Sequence, residues 1–174
     1  MNPRISFALQ QKATALLENP LTYPGLEEHS RRASVVLRVW RYPSFEPHCS
    51  WAVITSRGIY FLRRVVWDHS AQEQAELVTF ANEVPLDRQV YSDLLTALQA
   101  ITLRPFFANN VSTGDGTHYG VETLVFTTWA RMNWWVTPPP DWAPLQAWHQ
   151  RAVKIFESLL PAQPATSALN ERSG

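Results

Sequence analysis

Between residues 115 and 145 the chain reads Asp115-Gly-Thr-His-Tyr119, then Thr128-Trp-Ala-Arg-Met-Asn-Trp-Trp135, then Pro138-Pro-Pro-Asp-Trp-Ala-Pro-Leu145. These stretches indicate a turn, a strand with several tryptophans and the start of a helix. Glycine on both sides of Asp115 tolerates the positive φ angles that turns require. The pattern therefore predicts a hairpin formed by residues 117–128 and 131–136, followed by a helix.

Three helices are predicted from apolar periodicity and end signals. Residues 3–18 form the first, and Asn19-Pro20 ends it because a residue before proline avoids the α conformation. Asp87 is the predicted N-cap of the second helix, and Asp141 that of the third. Pro144 then lies in a first turn, where its missing N–H costs nothing. The buried stripes are Val90, Tyr91, Leu94, Leu95, Leu98 and Ile101 in the second helix, and Leu145, Trp148, Ala152, Ile155, Phe156 and Leu159 in the third.

Upstream strands are predicted from β-branched and aromatic runs. Residues 34–42 form one strand, with Val35, Leu37 and Val39 on a dry face opposite Arg38 and Trp40. Residues 50–55 and 59–67 form a hairpin across Ser56-Arg57-Gly58. Residues 77–80 are a candidate short edge strand within a polar segment.

The element order α-β-β-β-α-β-β-α contains hairpins rather than long crossovers. It predicts a two-layer α+β fold, with an antiparallel sheet and helices packed mainly on one face. A chain of 174 residues with 45% hydrophobic content fits one domain, which we place at residues 1–160. Residues 161–174 are small, polar and interrupted by proline, so we expect a disordered C-terminal tail.

Composition restricts the compartment and the partners. The N-terminal residues contain no apolar signal segment, and no window approaches about 18 uninterrupted apolar residues, which predicts a cytoplasmic protein without a membrane segment. A single cysteine, Cys49, agrees with a reducing compartment. Fifteen basic and fifteen acidic residues cancel, which disfavours a nucleic-acid binder.

The cancelling charges are segregated along the chain. Residues 31–64 contain seven arginines and one acid, Glu46, whereas residues 68–93 contain six acids and one base, Arg88. Such runs are usually solvated faces that pair in part. The alternative is a bipolar surface for a charged protein partner.

Few residues suggest catalysis. Asp115, His118 and Glu122 could form the acid–base group of a hydrolase, although Asp115 also suits a turn and His118 an exposed strand position. His48 and Cys49 are adjacent on a strand, so their side chains point to opposite faces. The five histidines are scattered without metal-ligand spacing, and we expect no metal site and no cofactor.

The tryptophans of residues 128–135 are the best candidates for a binding surface. Trp134 and Trp135 are neighbours on a strand, so one points into the core, and Arg131 shares a face with Trp135. Because a long charged side chain is almost never fully buried without a partner, we expect Trp135 to point outward and Trp134 inward. The exposed ring either stacks on the prolines at 138–140 or provides a platform for a ligand or a partner. The candidate binding residues are Trp135, Arg131, Tyr119, Asp115 and His118.

The C-terminal third resembles a group of small, uncharacterised bacterial proteins. The resemblance rests on Asp115-Gly116-x-x-Tyr119, on Trp134-Trp135 and on Pro139-x-x-Trp142-x-Pro144-Leu145, with Val65-Val66-Trp67-Asp68 as a weaker upstream match. No activity is implied by this resemblance. The group is loosely similar to stand-alone proteins that neutralise toxins or act as accessory binders.

These features favour a non-catalytic protein-interaction module of bacterial type, either immunity-like or accessory, with a protein as its partner. The first alternative is a small-ligand or glycan binder that uses Trp135, Arg131 and Tyr119. The second is a hydrolase centred on Asp115, His118 and Glu122.

Overall fold

The computed structural model of the protein describes residues 7–24, 26, 33–69, 77–104, 115–125, 128–162 and 166–168. The helices are α1 (Phe7–Glu18), α2 (Arg88–Gln99) and α3 (Ala143–Leu159). The strands are β1 (Ser34–Pro43), β2 (His48–Ser56), β3 (Ile59–Trp67), β4 (Thr79–Leu86), β5 (Thr117–Val125), β6 (Thr128–Trp135) and β7 (Thr166–Ala168). Residues 3–6, predicted to begin the first helix, lie outside the described part.

All seven strands form one antiparallel sheet in the order β6-β5-β1-β2-β3-β4-β7. Both predicted hairpins are present, but the second turns earlier than predicted, because Thr128, Trp129 and Ala130 already belong to its second strand. The first turns at Arg57 and Gly58, whose φ angles are 52° and 82°, as two-residue hairpin loops require. The second joins β5 and β6, and the strand order places β6 at one edge of the sheet.

Helices α2 and α3 pack on one face of the sheet, which we call the helix face. Their apolar stripes meet inward-facing residues of the strands in the main core, which contains Leu37, Val39, Trp51, Val53, Leu62, Leu94, Leu98, Val121, Trp134, Leu145, Trp148 and Phe156 among others. Most of the protein's apolar burial is therefore on this side. The predicted antiparallel α+β fold with helices mainly on one face is confirmed.

Helix α1 covers part of the opposite face, which we call the α1 face. It buries Ala13, Leu16 and Leu17 in a second, smaller core with Val65 and Trp67 of β3. The prediction that β1 has a single dry face was therefore wrong. Arg38 and Trp40 are only 3% and 1% exposed on the α1 face, because α1 and the neighbouring strands cover them.

Strand β4 differs from the short edge strand predicted at residues 77–80. It runs from Thr79 to Leu86 and has a neighbour on each side, β3 and β7. The predicted strand stopped before Asn82 and Glu83, which belong to the polar segment of the sequence. In the fold, Asn82 Oδ1 and Glu83 Oε2 accept hydrogen bonds from Arg64 and Arg63 of β3, at 3.1 and 2.7 Å. A polar side chain that is hydrogen-bonded to a buried partner can be accommodated within a strand.

The third helix begins differently from its prediction. Residues Pro140–Trp142 form a 3₁₀ turn, and the N-cap of α3 is Trp142, not Asp141. The indole N–H of Trp142 donates to the carbonyl of Arg104 at 2.9 Å, while Asp141 forms an exposed ion pair with the Arg104 side chain at 3.3 Å. Leu159, predicted to be buried, is 43% exposed because it lies at the end of the helix.

The N-cap of α2 was predicted correctly, since Asp87 accepts a hydrogen bond from the backbone of Gln89 at 2.7 Å. The predicted disordered tail requires a correction at three residues. Thr166–Ala168 pair with Thr79–Ala81 of β4, so this part of the tail is a strand. A sheet edge offers unpaired backbone groups that even a short segment can bond.

Candidate binding face

Strand β6 places alternate side chains on the two faces of the sheet. Trp134 is 5% exposed and lies in the main core, whereas Trp135 is 37% exposed on the α1 face. The prediction that Trp134 points inward and Trp135 outward is confirmed. Arg131 shares the α1 face with Trp135, because it reaches Glu18 at the end of α1.

Tyr119 does not belong to this surface. It pairs with Trp134 across β5 and β6, and the two rings stack on the helix face with centroids 5.7 Å apart. The predicted Trp135–Arg131–Tyr119 ligand surface is therefore wrong in one member. Residues opposite each other on neighbouring strands share a face, and the sequence alone did not give the register that pairs Tyr119 with Trp134.

Four side chains of β6 form an exposed row on the α1 face: Trp129, Arg131, Asn133 and Trp135. We call them the β6 row. Trp129 is 56% exposed and Arg131 48% exposed. The first and last members are six residues apart, roughly 20 Å along a strand. Two exposed indoles thus flank a cation and an amide at the edge of the sheet.

The charge of Arg131 is partly balanced within the chain. Its guanidinium lies 3.5 Å from Glu18 and 3.8 Å from Glu122, and it sits over the Trp40 ring at 5.1 Å. Glu122 also accepts a hydrogen bond from the buried Arg38 at 2.9 Å. Arg131 is therefore held in place while nearly half of it remains accessible to a partner.

Next to the β6 row lies a contiguous group of aromatic and imidazole rings. We call it the ring cluster; its members are Trp40, Tyr42, His48, Trp67, His69 and His118. Tyr42 stacks on His48 with centroids 5.1 Å apart, and His48 contacts His69 at 4.6 Å. His118 stacks on Trp135 at 6.2 Å, which joins the ring cluster to the β6 row.

Two histidines of the ring cluster share a backbone acceptor, and one of them, His48, has a lowered pKa. The Nε2 atoms of His48 and His69 lie 3.1 and 3.4 Å from the same carbonyl, that of Pro43, so each donates its Nε2–H there. Burial lowers the pKa of His48 to about 4, and the neighbouring His69 lowers it further in the same direction. A neutral imidazole leaves Nδ1 as a hydrogen-bond acceptor.

Four buried polar atoms of this face have no hydrogen-bond partner among the residues that the structure describes. They are Trp40 Nε1, Tyr42 Oη, Ser50 Oγ and Trp67 Nε1. Burial raises the pKa of Tyr42 to about 12, which keeps the phenol protonated, although the positive charge of Arg38 opposes this rise. Buried polar groups normally have partners, so this concentration marks a place for a bound molecule or for water.

The three residues of the predicted hydrolase group contact other residues and not one another. His118 Nε2 lies 3.4 Å from Asn133 Oδ1, Glu122 is paired with Arg38 and Arg131, and Asp115 is exposed before β5. Cys49 packs toward the main core, away from His48, and burial raises the pKa of its thiol to about 11. These placements give neither a nucleophile activated by a base nor an acid–base pair.

Within the described ranges, no three His, Cys, Asp or Glu side chains are grouped so that they could hold a metal ion. The helices of the described part are too short or too polar to cross a lipid bilayer.

Sequence reasoning missed the ring cluster as a unit. His48 was considered only with Cys49, and Tyr42, Trp67 and His69 were not connected to it. The signal was present as alternation, since residues 40 and 42, 48 and 50, and 65 and 67 each lie on one face of their strand. The strand registers were needed to show that these faces coincide, with Arg41 opposite Cys49 and His48 opposite Trp67.

Comparisons with protein-family models, with curated proteins and with solved structures give no match for this chain.

Proposed function

We propose that the protein is a non-catalytic protein-interaction module, cytoplasmic and of the bacterial immunity or accessory type, that binds its partner through the β6 row. One observation carries this proposal. Two exposed tryptophans, Trp129 and Trp135, flank a half-exposed arginine on an edge strand. Tryptophan and arginine are the residue types enriched at binding hot spots, and an edge strand can accept a further strand from a partner.

The alternative idea of a bipolar charged surface receives less support. Arg38, Arg63 and Arg64 belong to the basic segment, yet all three are buried and paired with carboxylates within the chain. Arg63 pairs with Glu83 of the acidic segment, so the two segments neutralise each other in part. Recognition is therefore better attributed to the β6 row than to opposite charged patches.

The proposal is tested by capturing partners from a lysate of the source cells with the tagged protein and its variants. Trp129→Ala and Trp135→Ala should each lower recovery of the same partner, with a binding loss of about 2 kcal/mol or more for a hot-spot residue. Phe45→Ala is the matched control, because Phe45 is 76% exposed but lies outside β6. Equal recovery with all variants would remove the β6 row as the binding surface.

A second candidate function, small-ligand binding, is favoured by the unpartnered polar atoms of the ring cluster. Two indole N–H donors, two hydroxyls and the neutral imidazole of His48 could together hold an uncharged polar molecule against aromatic rings. Thermal-shift screening with neutral sugars and nucleobases tests this function. Trp67→Phe, which keeps an aromatic ring but removes Nε1, should abolish any ligand-induced rise in Tm.

A further inference from the structure

The backbone of β6 has a definite hydrogen-bonding direction. The N–H of Val136, directly after the strand, donates to the carbonyl of Thr117 in β5 at 2.8 Å. Because backbone groups alternate along a strand, the even-numbered residues of β6 face β5, and the odd-numbered residues direct N–H and C=O toward the edge. The edge-facing residues are those of the β6 row. In the described part of the sheet, β5 is the neighbour of β6.

This direction restricts how another copy of β6 could pair with it. In an antiparallel pair, edge-facing residues must lie opposite edge-facing residues, which allows registers with the two-fold axis at Arg131, Met132 or Asn133. An axis at Arg131 puts the two Arg131 side chains directly opposite each other, and like charges in that position are destabilising. An axis at Asn133 leaves Trp129 opposite residue 137, beyond the end of the strand.

The register centred on Met132 pairs the whole β6 row with itself. Trp129 then lies opposite Trp135 of the second copy, and Arg131 lies opposite its Asn133; by symmetry each pair occurs twice. Cross-strand aromatic pairs stabilise sheets, and an amide oxygen can accept a hydrogen bond from a guanidinium. The order Trp-x-Arg-x-Asn-x-Trp is thus self-complementary in this one register.

We propose that β6 binds β6 of a second copy of this chain, antiparallel and centred on Met132, to form a continuous sheet across a symmetric dimer. This inference rests on the proposed function, in which the β6 row is the interaction surface, and identifies the occupant of that surface. Each opposed pair of edge-facing residues exchanges two backbone hydrogen bonds. The pairing also covers the edge of β6, with which no other described strand pairs apart from β5 on its opposite side.

Charge variants at Asn133 test the register by sedimentation equilibrium. Asn133→Asp places a carboxylate opposite Arg131 of the second copy twice, and should lower the dimer Kd about tenfold. Asn133→Arg places like charges opposite each other twice, and should raise the Kd by about the same factor. Gln150→Asp and Gln150→Arg are the matched controls, because Gln150 is exposed on α3, which packs on the helix face and not on the face of the β6 row; they should leave the Kd unchanged.

A cysteine at the axis provides a second measurement. Met132 of the two copies would be a non-hydrogen-bonded pair with Cα atoms about 4.5 Å apart, within the range of a disulfide. Met132→Cys should therefore form a covalent dimer through residue 132 on mild oxidation, as peptide mapping would show. Arg131→Cys should cross-link much less, because its two copies lie diagonally across the pair.

The outcomes separate this inference from the proposed function. Two results would overturn the β6 dimer. One is a wild-type protein that is monomeric at about 100 µM, and the other is a dimer whose Kd does not change with the charge at position 133. If the tryptophan variants nevertheless lose a captured partner, the β6 row remains the interaction surface for a different protein. If recovery is also unaffected, both proposals fail.

Discussion

Trp40 makes contacts on both faces of the sheet. Its indole is 1% exposed on the α1 face, between the guanidinium of Arg38 at 4.7 Å and that of Arg131 at 5.1 Å. Its backbone carbonyl lies 2.9 Å from Nε2 of His149, which reaches it from α3 on the helix face. The residue therefore couples the ring cluster, the β6 row and the main core.

Gly120 is required by the position of the Trp40 ring. A Cβ atom added at Gly120 would lie 1.9 Å from Cζ2 of Trp40, too close for the two groups to coexist without movement. We expect Gly120→Ala to lower the free energy of unfolding by about 3 kcal/mol, at the upper end of ordinary overpacking.

Gly58→Ala is the control for this substitution. Gly58 has no atom within 4 Å of the added Cβ but has a φ of 82°, so its cost should be only about 1 kcal/mol from backbone strain. Urea denaturation of both variants measures the difference. Equal midpoints would mean that the Trp40 ring moves freely off Gly120.

The partly buried His48 and the buried His149 should make stability depend on pH. Burial lowers the pKa values of His48 and His149 from 6.5 to about 4. Between pH 6.5 and 4 the unfolded chain binds protons that the folded chain does not, so stability falls as the pH falls. Each histidine contributes at most about 1.4 kcal/mol per pH unit in this window and nothing above it.

Chemical denaturation between pH 7.5 and 4 measures this slope. His149→Gln should reduce the slope, whatever its effect on stability at pH 7, because one titrating group is removed. Identical slopes in the variant and the wild type would show that His149 titrates alike in the folded and unfolded chains.

At the scale of the element, β6 has one face buried in the main core and one face at the boundary with solvent. Trp134 stacks on Tyr119 at 5.7 Å and contacts His149 at 5.4 Å inside the main core. Trp135 stacks on His118 at 6.2 Å at the boundary with solvent. Neighbouring residues of one type thus have different environments, because a strand alternates its side chains.

Alanine at these two positions should give different results. Trp134→Ala removes a buried ring and should lower the free energy of unfolding by about 3–5 kcal/mol. Trp135→Ala should cost roughly 1 kcal/mol, since its ring is partly exposed. Calorimetric melting of both variants measures this order, and a reversed order would move the proposed surface to the other face.

At the scale of the whole molecule, Glu157 joins α3 to the sheet. It accepts hydrogen bonds from the Trp51 indole at 2.6 Å and from Arg64 at 2.5 Å, and Arg64 also donates to the Pro161 carbonyl at 3.1 Å. On the opposite side, Arg63 donates to the carbonyl of Pro20 after α1 at 2.7 Å. Two adjacent arginines of β3 thus hold segments on opposite faces of the sheet: Arg64 holds α3, and Arg63 holds the segment that follows α1.

Glu157→Ala should loosen the attachment of α3. It leaves the buried Arg64 with fewer partners and the Trp51 indole without its acceptor, at a cost of about 1–3 kcal/mol. Glu46→Ala is the control, because its ion pair with Arg41 is exposed and should contribute within about 1 kcal/mol. Thermal unfolding compares the variants, and equal Tm values would show that the Glu157 bonds contribute no more than a surface pair.

Local patterns of the sequence determined the elements and the directions of their side chains. Helical and strand periodicities identified α2, α3 and both hairpins, and alternation together with the charge of Arg131 placed Trp134 inside and Trp135 outside. These features depend on neighbours within a few residues, which the sequence displays directly.

Only the tertiary structure decided which faces coincide. The register paired Tyr119 with Trp134, brought His48, His69 and His118 together from different segments, and gave the polar Asn82 and Glu83 arginine partners inside a strand. Such pairings depend on residues far apart in the chain. A slip of one residue would move every side chain of a strand to the other face, so the site was fixed by long-range packing rather than by local pattern.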